Sequence, residues 1–415
     1  MSVSLAEVLA RFGPRYLAAH GLSRAQAKAC RSAWRAIAAC RTPALGGQQL
    51  ACDGCGATQW RWHSCRNRHC PRCQKQAADA WRRARSAELL EVPYAHLVFT
   101  LPHQLNALAR AHPRWVYETL FGCAAATLNE FAANPRWLGG RPSFTRVLHT
   151  WTQDLRLHIH AHALMACGAL DAEGGWIAPR RTERFLFPVH ALSRVFAGKF
   201  RAALRAAERD GTLRDDPLPA AGQRQRRLQR LTEKNWVVYA KTPLAGPAAV
   251  LDYLARYTHR TAIGHERILA VRDDGVRLRV RADGNGGKNA GKNAGKKTVR
   301  IDGAEFVGRF LQHVLPAGFK RIRHYGLLAP AHKTRCLSQA RAALAMPVPN
   351  PIAQETVAAF MRRVARIEIE RCPRCHGCWR PIAHAAPLRT SLWPRAGSTT
   401  PQTAAPQTAA QPQAP

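Results

Sequence analysis

Acidic residues are scarce in this chain. Its 415 residues hold 26 Asp plus Glu against 63 Lys plus Arg, a formal charge of +37. That balance excludes an acidic enzyme of small metabolites and makes the surface attractive to polyanions, of which nucleic acid is the leading candidate. Long apolar runs are missing as well. None approaches the length of a spanning helix, and no basic amphipathic helix stands out, so a membrane is not expected as partner. The first residues are interrupted by Arg11, Pro14 and Arg15 and lack the unbroken apolar core of a signal peptide, so a cytoplasmic location is expected. No Walker-type Gly-x4-Gly-Lys-Ser/Thr loop is present, which argues against a helicase motor.

The chain can nevertheless bury a core: 46% of its residues are hydrophobic and 11 are Trp. Length alone suggests two to four domains. Thirteen Cys is an odd number, and most stand in two clusters, which fits reduced thiolates on metal better than a secreted disulfide framework. The first cluster contains Cys52-Asp-Gly-Cys55 and Cys70-Pro-Arg-Cys73. Each C-x2-C turn brings two sulfurs to one side, and two turns close a tetrahedron, so Cys52, Cys55, Cys70 and Cys73 are expected to hold one structural Zn²⁺. Cys65, His69 and His63 are alternates. A later half-cluster, Cys372-Pro-Arg-Cys375, is a possible second zinc site, with Cys336, His332 or His384 to complete it, or else a degenerate remnant.

Periodicity organises the rest. Residues 4–40 read as short helices and 74–90 as a helix, followed by a buried strand from Tyr94 to Leu101. Helix is expected over 110–133, alternation over 146–170, helix over 188–210, a strand at 236–240, a helix over 248–258 and a hairpin around Asp273-Asp274-Gly275. The run Gln223–Arg230 is first a solvated basic face and only secondarily a phosphate contact. The repetitive insert 284–297 should be a flexible loop, and the tail 387–415 should be disordered. The expected organisation is a helical segment (1–50), a zinc module (51–92), a domain opened by the strand at Tyr94 (93–330), a C-terminal helical segment with the second Cys cluster (331–386) and the tail. The fold class is α+β.

The most informative stretch is Leu157-His158-Ile159-His160-Ala161-His162-Ala163, in which three histidines share one face of a strand. Positions two apart lie about 6.6 Å apart and can reach one metal, whereas 158 and 162 are about 13 Å apart. The pair is therefore 158/160 or 160/162. Further on, Tyr253 and Tyr257 sit at i and i+4 on one helix face, with Arg256, His259 and Arg260 beside them. Taken alone, such a pair is a packing or stacking feature.

Together these residues resemble the bacterial rolling-circle transposases of insertion sequences, two-tyrosine members of the HUH single-strand endonucleases with an amino-terminal zinc-binding domain. The similarity runs through Ser64–Gln74, Val98–Pro102, the His-x-His block, Tyr253–Arg260, Arg323–Gly326 and Cys372–Cys375. The resemblance implies a central antiparallel sheet flanked by helices, with His160 and His162 as the catalytic pair for Mg²⁺ or Mn²⁺ and His158 an additional candidate. Gln153 and His103 are further candidates for the third ligand. It implies Tyr253 and Tyr257 as nucleophiles that form a 5′-phosphotyrosine on single-stranded or locally melted DNA. Arg61, Arg66, Arg68 and Arg72, interleaved with Trp60 and Trp62, would contact element ends together with Arg256 and Arg260. Two rivals stand beside this reading: a non-enzymatic zinc-containing DNA-binding protein, and a replication initiator or relaxase of the same chemistry.

Overall fold

The computed structural model describes residues 3–22, 25–180, 186–213, 221–233, 236–244, 250, 262–281, 295–350 and 352–388. The helix expected over 248–258 lies outside them except for Val250, as do most of the insert and the tail beyond residue 388. The described architecture is α+β, with three antiparallel sheets.

In chain order the main elements are α1 (Leu5–His20), α2 (Ala27–Ala39), β1 (Gly47–Cys52), β2 (Thr58–Trp62), α3 (Gln74–Ser86), β3 (Tyr94–Thr100), α4 (Asn106–Ala111), α5 (Pro113–Ala133), β4 (Arg141–Trp151) and β5 (Leu157–Leu170). They continue with β6 (Trp176–Ile177), α6 (Val189–Arg209), α7 (Ala221–Glu233), β7 (Val238–Leu244), β8 (Ile268–Arg272), β9 (Gly275–Arg281), β10 (Lys296–Ile301), α8 (Gly303–Leu311), β11 (Ile322–Gly326), α9 (Lys333–Ala343) and β12 (Trp379–Ala385).

The central sheet runs β11-β4-β5-β3-β7, with β6 paired to β5. One of its faces is apolar: Leu97, Phe99, Ile159, Ala161, Ala163 and Met165 pack with Leu120, Phe121 and Leu128 of α5 and Phe196 and Phe200 of α6. Full burial of each Leu, Ile, Phe or Met side chain among them is worth about 1.5–3 kcal/mol, so this layer is a dominant stabilising term. The strict alternation of β5 then places its histidines on the opposite face.

A second core joins segments the sequence reading kept apart. Leu5, Val8, Leu9 and Phe12 of α1 and Trp34 of α2 share one cluster with Val276, Leu278 and Val280 of β9 and Phe306, Val307 and Phe310 of α8. The amino-terminal helices therefore pack on the β8–β10 sheet rather than forming a separate segment. Caps hold the helix starts: Ser4 Oγ accepts from the Glu7 amide at 3.2 Å, and Asp302 Oδ1 accepts from Ala304 and Glu305 at 2.9 and 3.1 Å.

The third sheet has the order β12-β1-β2, so a strand from near residue 380 closes a sheet begun at residue 47. The C-terminal segment is thus not helical throughout.

Candidate functional site

The histidine face is built by strand pairing. His149 of β4 lies directly opposite His160 of β5, and His162 lies opposite Val98 of β3. Facing residues of an antiparallel pair project to the same side, which brings His149 to His160 and His162. The ligand atoms of the three all lie within 4.8 Å of one another, with ring centroids 4.5–5.5 Å apart. His149 is buried and the other two are half-buried.

Hydrogen bonds orient the rings. His160 Nδ1 donates to the carbonyl of His158 at 2.9 Å, which directs Nε2 to any ligand. His162 Nδ1 is 2.9 Å from His96 Nε2 on β3. Burial, with the neighbouring His158 adding to it, pushes the His160 pKa down to about 4, so the ring is neutral and ready to ligate near pH 7.

His158 shares the face but sits one step out of the trio, its ring 5.5 Å from His103. Burial and then the His103 charge lower its pKa. The structure thus brings His149, not His158, His103 or Gln153, to the pair. Gln153 is exposed in the β4–β5 loop, where its backbone carbonyl accepts from Arg267. His149 went unrecognised in the sequence because it stands alone in its strand; only the β4–β5 register reveals it. Tyr253, Tyr257, Arg256 and Arg260 lie outside the described residues. Val250, just before them, is buried in a cluster with Leu164, two positions from His162 on the same face of β5.

The cysteines form two groups, and neither is the expected tetrahedron. Cys70 and Cys73 gather with Cys65 and with Cys40 from the end of α2, whereas Cys52 and Cys55 gather with Cys372 and Cys375. The first knuckle ends a hairpin tip on β1–β2, and the second precedes α3, so the folding of the intervening loop separates them. His63 and His69 join neither group; burial instead drives the His69 pKa down to about 3. Cys40 carried no local signal, being 25 residues before Cys65 and outside any C-x2-C spacing.

The expected DNA-contacting arginines divide as well. Arg61 donates to the Ile369 carbonyl, and Arg68 donates to those of Phe319 and, at 2.9 Å, Pro316. Both are therefore engaged in holding the fold. Arg66 and Arg72 are exposed, although Arg72 Nη1 also donates to the Cys40 carbonyl at 3.2 Å. Trp60 and Trp62 stack with centroids 4.7 Å apart and planes 1° from parallel, and Trp60 remains 41% exposed. Within the basic run on α7, Arg227 pairs with Glu208 at 2.5 Å.

Two family models match the chain: one described as "Transposase zinc-binding domain" over residues 8–101, and one described as "Putative transposase" over residues 143–336. A protein named "Putative transposase y4qJ" from Sinorhizobium fredii is 41% identical over 381 residues, covering 90% of this chain and 92% of its own. The chain belongs to the transposases of bacterial insertion sequences. A protein named "Transposase for insertion sequence element IS801" from Pseudomonas savastanoi pv. phaseolicola is 27% identical over 342 residues, 81% of this transposase and 79% of its own length. No solved structure matches the transposase.

The transposase carries Cys40, Cys65, Cys70 and Cys73 inside the zinc-binding match and the three clustered histidines inside the second match. The thiol clusters and the matched description agree on structural zinc. Among the described residues of the transposase, no helix is long and apolar enough to cross a membrane.

Proposed function

We propose that this transposase cuts and rejoins single-stranded or locally melted DNA through a covalent 5′-phosphotyrosine, moving its element by a rolling-circle route. The observation that carries the reading is the convergence of His149, His160 and His162 on one face of the central sheet. Three imidazoles with no carboxylate among them suit Mn²⁺ better than Mg²⁺, which prefers oxygen donors. A divalent cation bound there would supply charge neutralisation at the scissile phosphate.

The chain's own residues do the rest. The hydroxyl oxygen of Tyr253 or Tyr257 bonds to phosphorus as the bond to the 3′ oxygen breaks, leaving a 3′-hydroxyl and a tyrosyl ester that keeps the bond energy for rejoining. A second tyrosine allows a second cut end to be held during transfer. His160 Nδ1 and His162 Nδ1, both engaged in hydrogen bonds, keep the two rings in their ligating orientation. Cys40, Cys65, Cys70 and Cys73 hold zinc in the amino-terminal module, and the stacked Trp60 and Trp62 offer bases a platform beside exposed Arg66.

The test incubates the protein with labelled single-stranded element-end DNA and Mn²⁺. A denaturant-resistant adduct that maps to Tyr253 or Tyr257 and vanishes in His160→Ala supports the proposal. Cleavage that persists when both tyrosines are Phe would indicate a nuclease acting through water and overturn it. Tight binding without cleavage would favour a DNA-binding role alone.

A further inference from the structure

Cys372 and Cys375 lie beyond both matched regions, at residues 8–101 and 143–336, so neither match accounts for them. Their sulfurs nevertheless meet those of Cys52 and Cys55, more than three hundred residues earlier. Cys52 Sγ is 3.3 Å from Cys375 Sγ, Cys55 Sγ is 3.8 Å from Cys372 Sγ, and all four lie within 4.8 Å of one another. A tetrahedron of thiolates about 2.3 Å from zinc has edges of about 3.8 Å, so the spacing fits that ion.

The two turns share one backbone pattern. The Cys52 carbonyl accepts from the Gly56 amide at 3.0 Å, and the Cys372 carbonyl accepts from His376 at 2.9 Å. Cys52 N donates to the Ala57 carbonyl at 2.9 Å, and Cys372 N donates to that of Gly377 at 2.8 Å. The residue four after each leading Cys is left-handed: Gly56 at φ 67° and His376 at φ 60°. A non-glycine residue takes that conformation at a cost, and here it repeats the partner turn.

The turns also interlock. A Cβ on Gly377 would stand 2.9 Å from Cys52 Sγ and 3.0 Å from the Gly54 amide nitrogen, so only glycine lets the second knuckle approach the first. Asp53 bridges them, its amide donating to the Cys378 carbonyl at 3.1 Å and its Oδ1 accepting from the Cys378 amide at 2.7 Å. Beyond the knuckle, β12 pairs with β1 from Cys52↔Trp379 to Gly47↔Ala385.

We infer that Cys52, Cys55, Cys372 and Cys375 form a second structural zinc site, completing a zinc ribbon whose two knuckles come from opposite ends of the chain. The site has four thiolates and no open position, so its role is to fasten residues 369–385 onto the β1–β2 hairpin that carries Trp60 and Trp62. It differs from the Cys40 group in ligands and in the segment it holds.

The test measures zinc bound to the full-length protein and to Cys372→Ser/Cys375→Ser, Cys52→Ser/Cys55→Ser and the combination of all four. Each pair of substitutions is expected to remove one equivalent, and the combination no more than one, while Cys378→Ser leaves the content unchanged. Unchanged zinc in the Cys372→Ser/Cys375→Ser variant, or loss of two equivalents in the combination, would overturn the inference. A second measurement needs no variant. As chelator withdraws zinc from the native protein, alkylation mapped by mass spectrometry should expose Cys52, Cys55, Cys372 and Cys375 together. Modification of Cys372 and Cys375 while Cys52 and Cys55 stay protected would overturn it equally.

Discussion

His96 Nε2 and His162 Nδ1 lie 2.9 Å apart, with their rings stacked 12° from parallel. His96 is 3% exposed and sits on β3, the strand beside the one that carries the histidine pair. It engages the ring nitrogen that faces away from a ligand bound at Nε2, which is the arrangement that fixes a tautomer and raises ligand basicity. His96→Ala should weaken Mn²⁺ binding by about 10- to 100-fold, the usual cost of losing such a partner. Cleavage at saturating Mn²⁺ should recover most of its rate. A rate that stays low at saturation would mean His96 acts on something other than the metal.

His149 and His158 make opposite predictions. His149→Ala removes one of three converging imidazoles and should lower metal affinity by more than about 100-fold, beyond the effect of a supporting partner. His158→Ala should change it by less than about 10-fold, because its side chain is outside the trio. Isothermal titration of both variants with Mn²⁺ decides the ranking.

Trp60 and Arg61 are adjacent in sequence but not in expected effect. Trp60 is part exposed and stacked on Trp62, so Trp60→Ala should cost single-strand binding about 1–3 kcal/mol. Arg61 donates to the Ile369 carbonyl, and Arg61→Ala should loosen the C-terminal segment while leaving the salt slope of DNA binding unchanged. Fluorescence anisotropy across a salt series, with limited proteolysis of the same variants, separates the two.

Acid should destabilise the fold through His313. This ring is fully buried, its Nδ1 accepts from Thr150 Oγ1 at 3.0 Å and its Nε2 donates to the Leu155 carbonyl at 2.9 Å. Burial pushes its pKa down to about 4. An unfolded histidine titrates near 6.5, so between those values the unfolded chain binds a proton that the folded chain does not. Stability present above pH 6.5 is therefore lost as the pH falls toward 4, by about 1.4 kcal/mol per pH unit for one such group. His313→Gln should reduce the slope of melting temperature against pH over this window, with the zinc sites common to both proteins.

Elements with strong period were legible from sequence: α5 and α6 announce themselves because each buries one broad face over many residues, and β5 through the alternation of residues 157–162. What pairs with what was not. His149 is an isolated histidine until β4 is laid against β5 in register, and a spacing rule has no view of a neighbouring strand. The zinc ligands failed for the same reason. Two C-x2-C turns near one another suggested one tetrahedron, yet Cys70 and Cys73 gather with a helix-end cysteine, and Cys52 and Cys55 with a knuckle from the far end of the chain. Charge was readable as a total, but not its use: Arg61 and Arg68 donate to protein carbonyls, which a basic run cannot foretell.

Because β12 pairs with β1, the sheet that carries Trp60 and Trp62 is completed by residues synthesised more than three hundred positions later. At ribosomal speeds of about 5–20 residues per second, a nascent chain spends roughly 16–60 s between making Cys55 and making Cys372. During that interval the central sheet and its histidine trio can form while β1 still presents an open edge. A chain truncated before residue 372 would keep the residues of the histidine trio and lose the strand that closes the edge of β1 beside the stacked tryptophans.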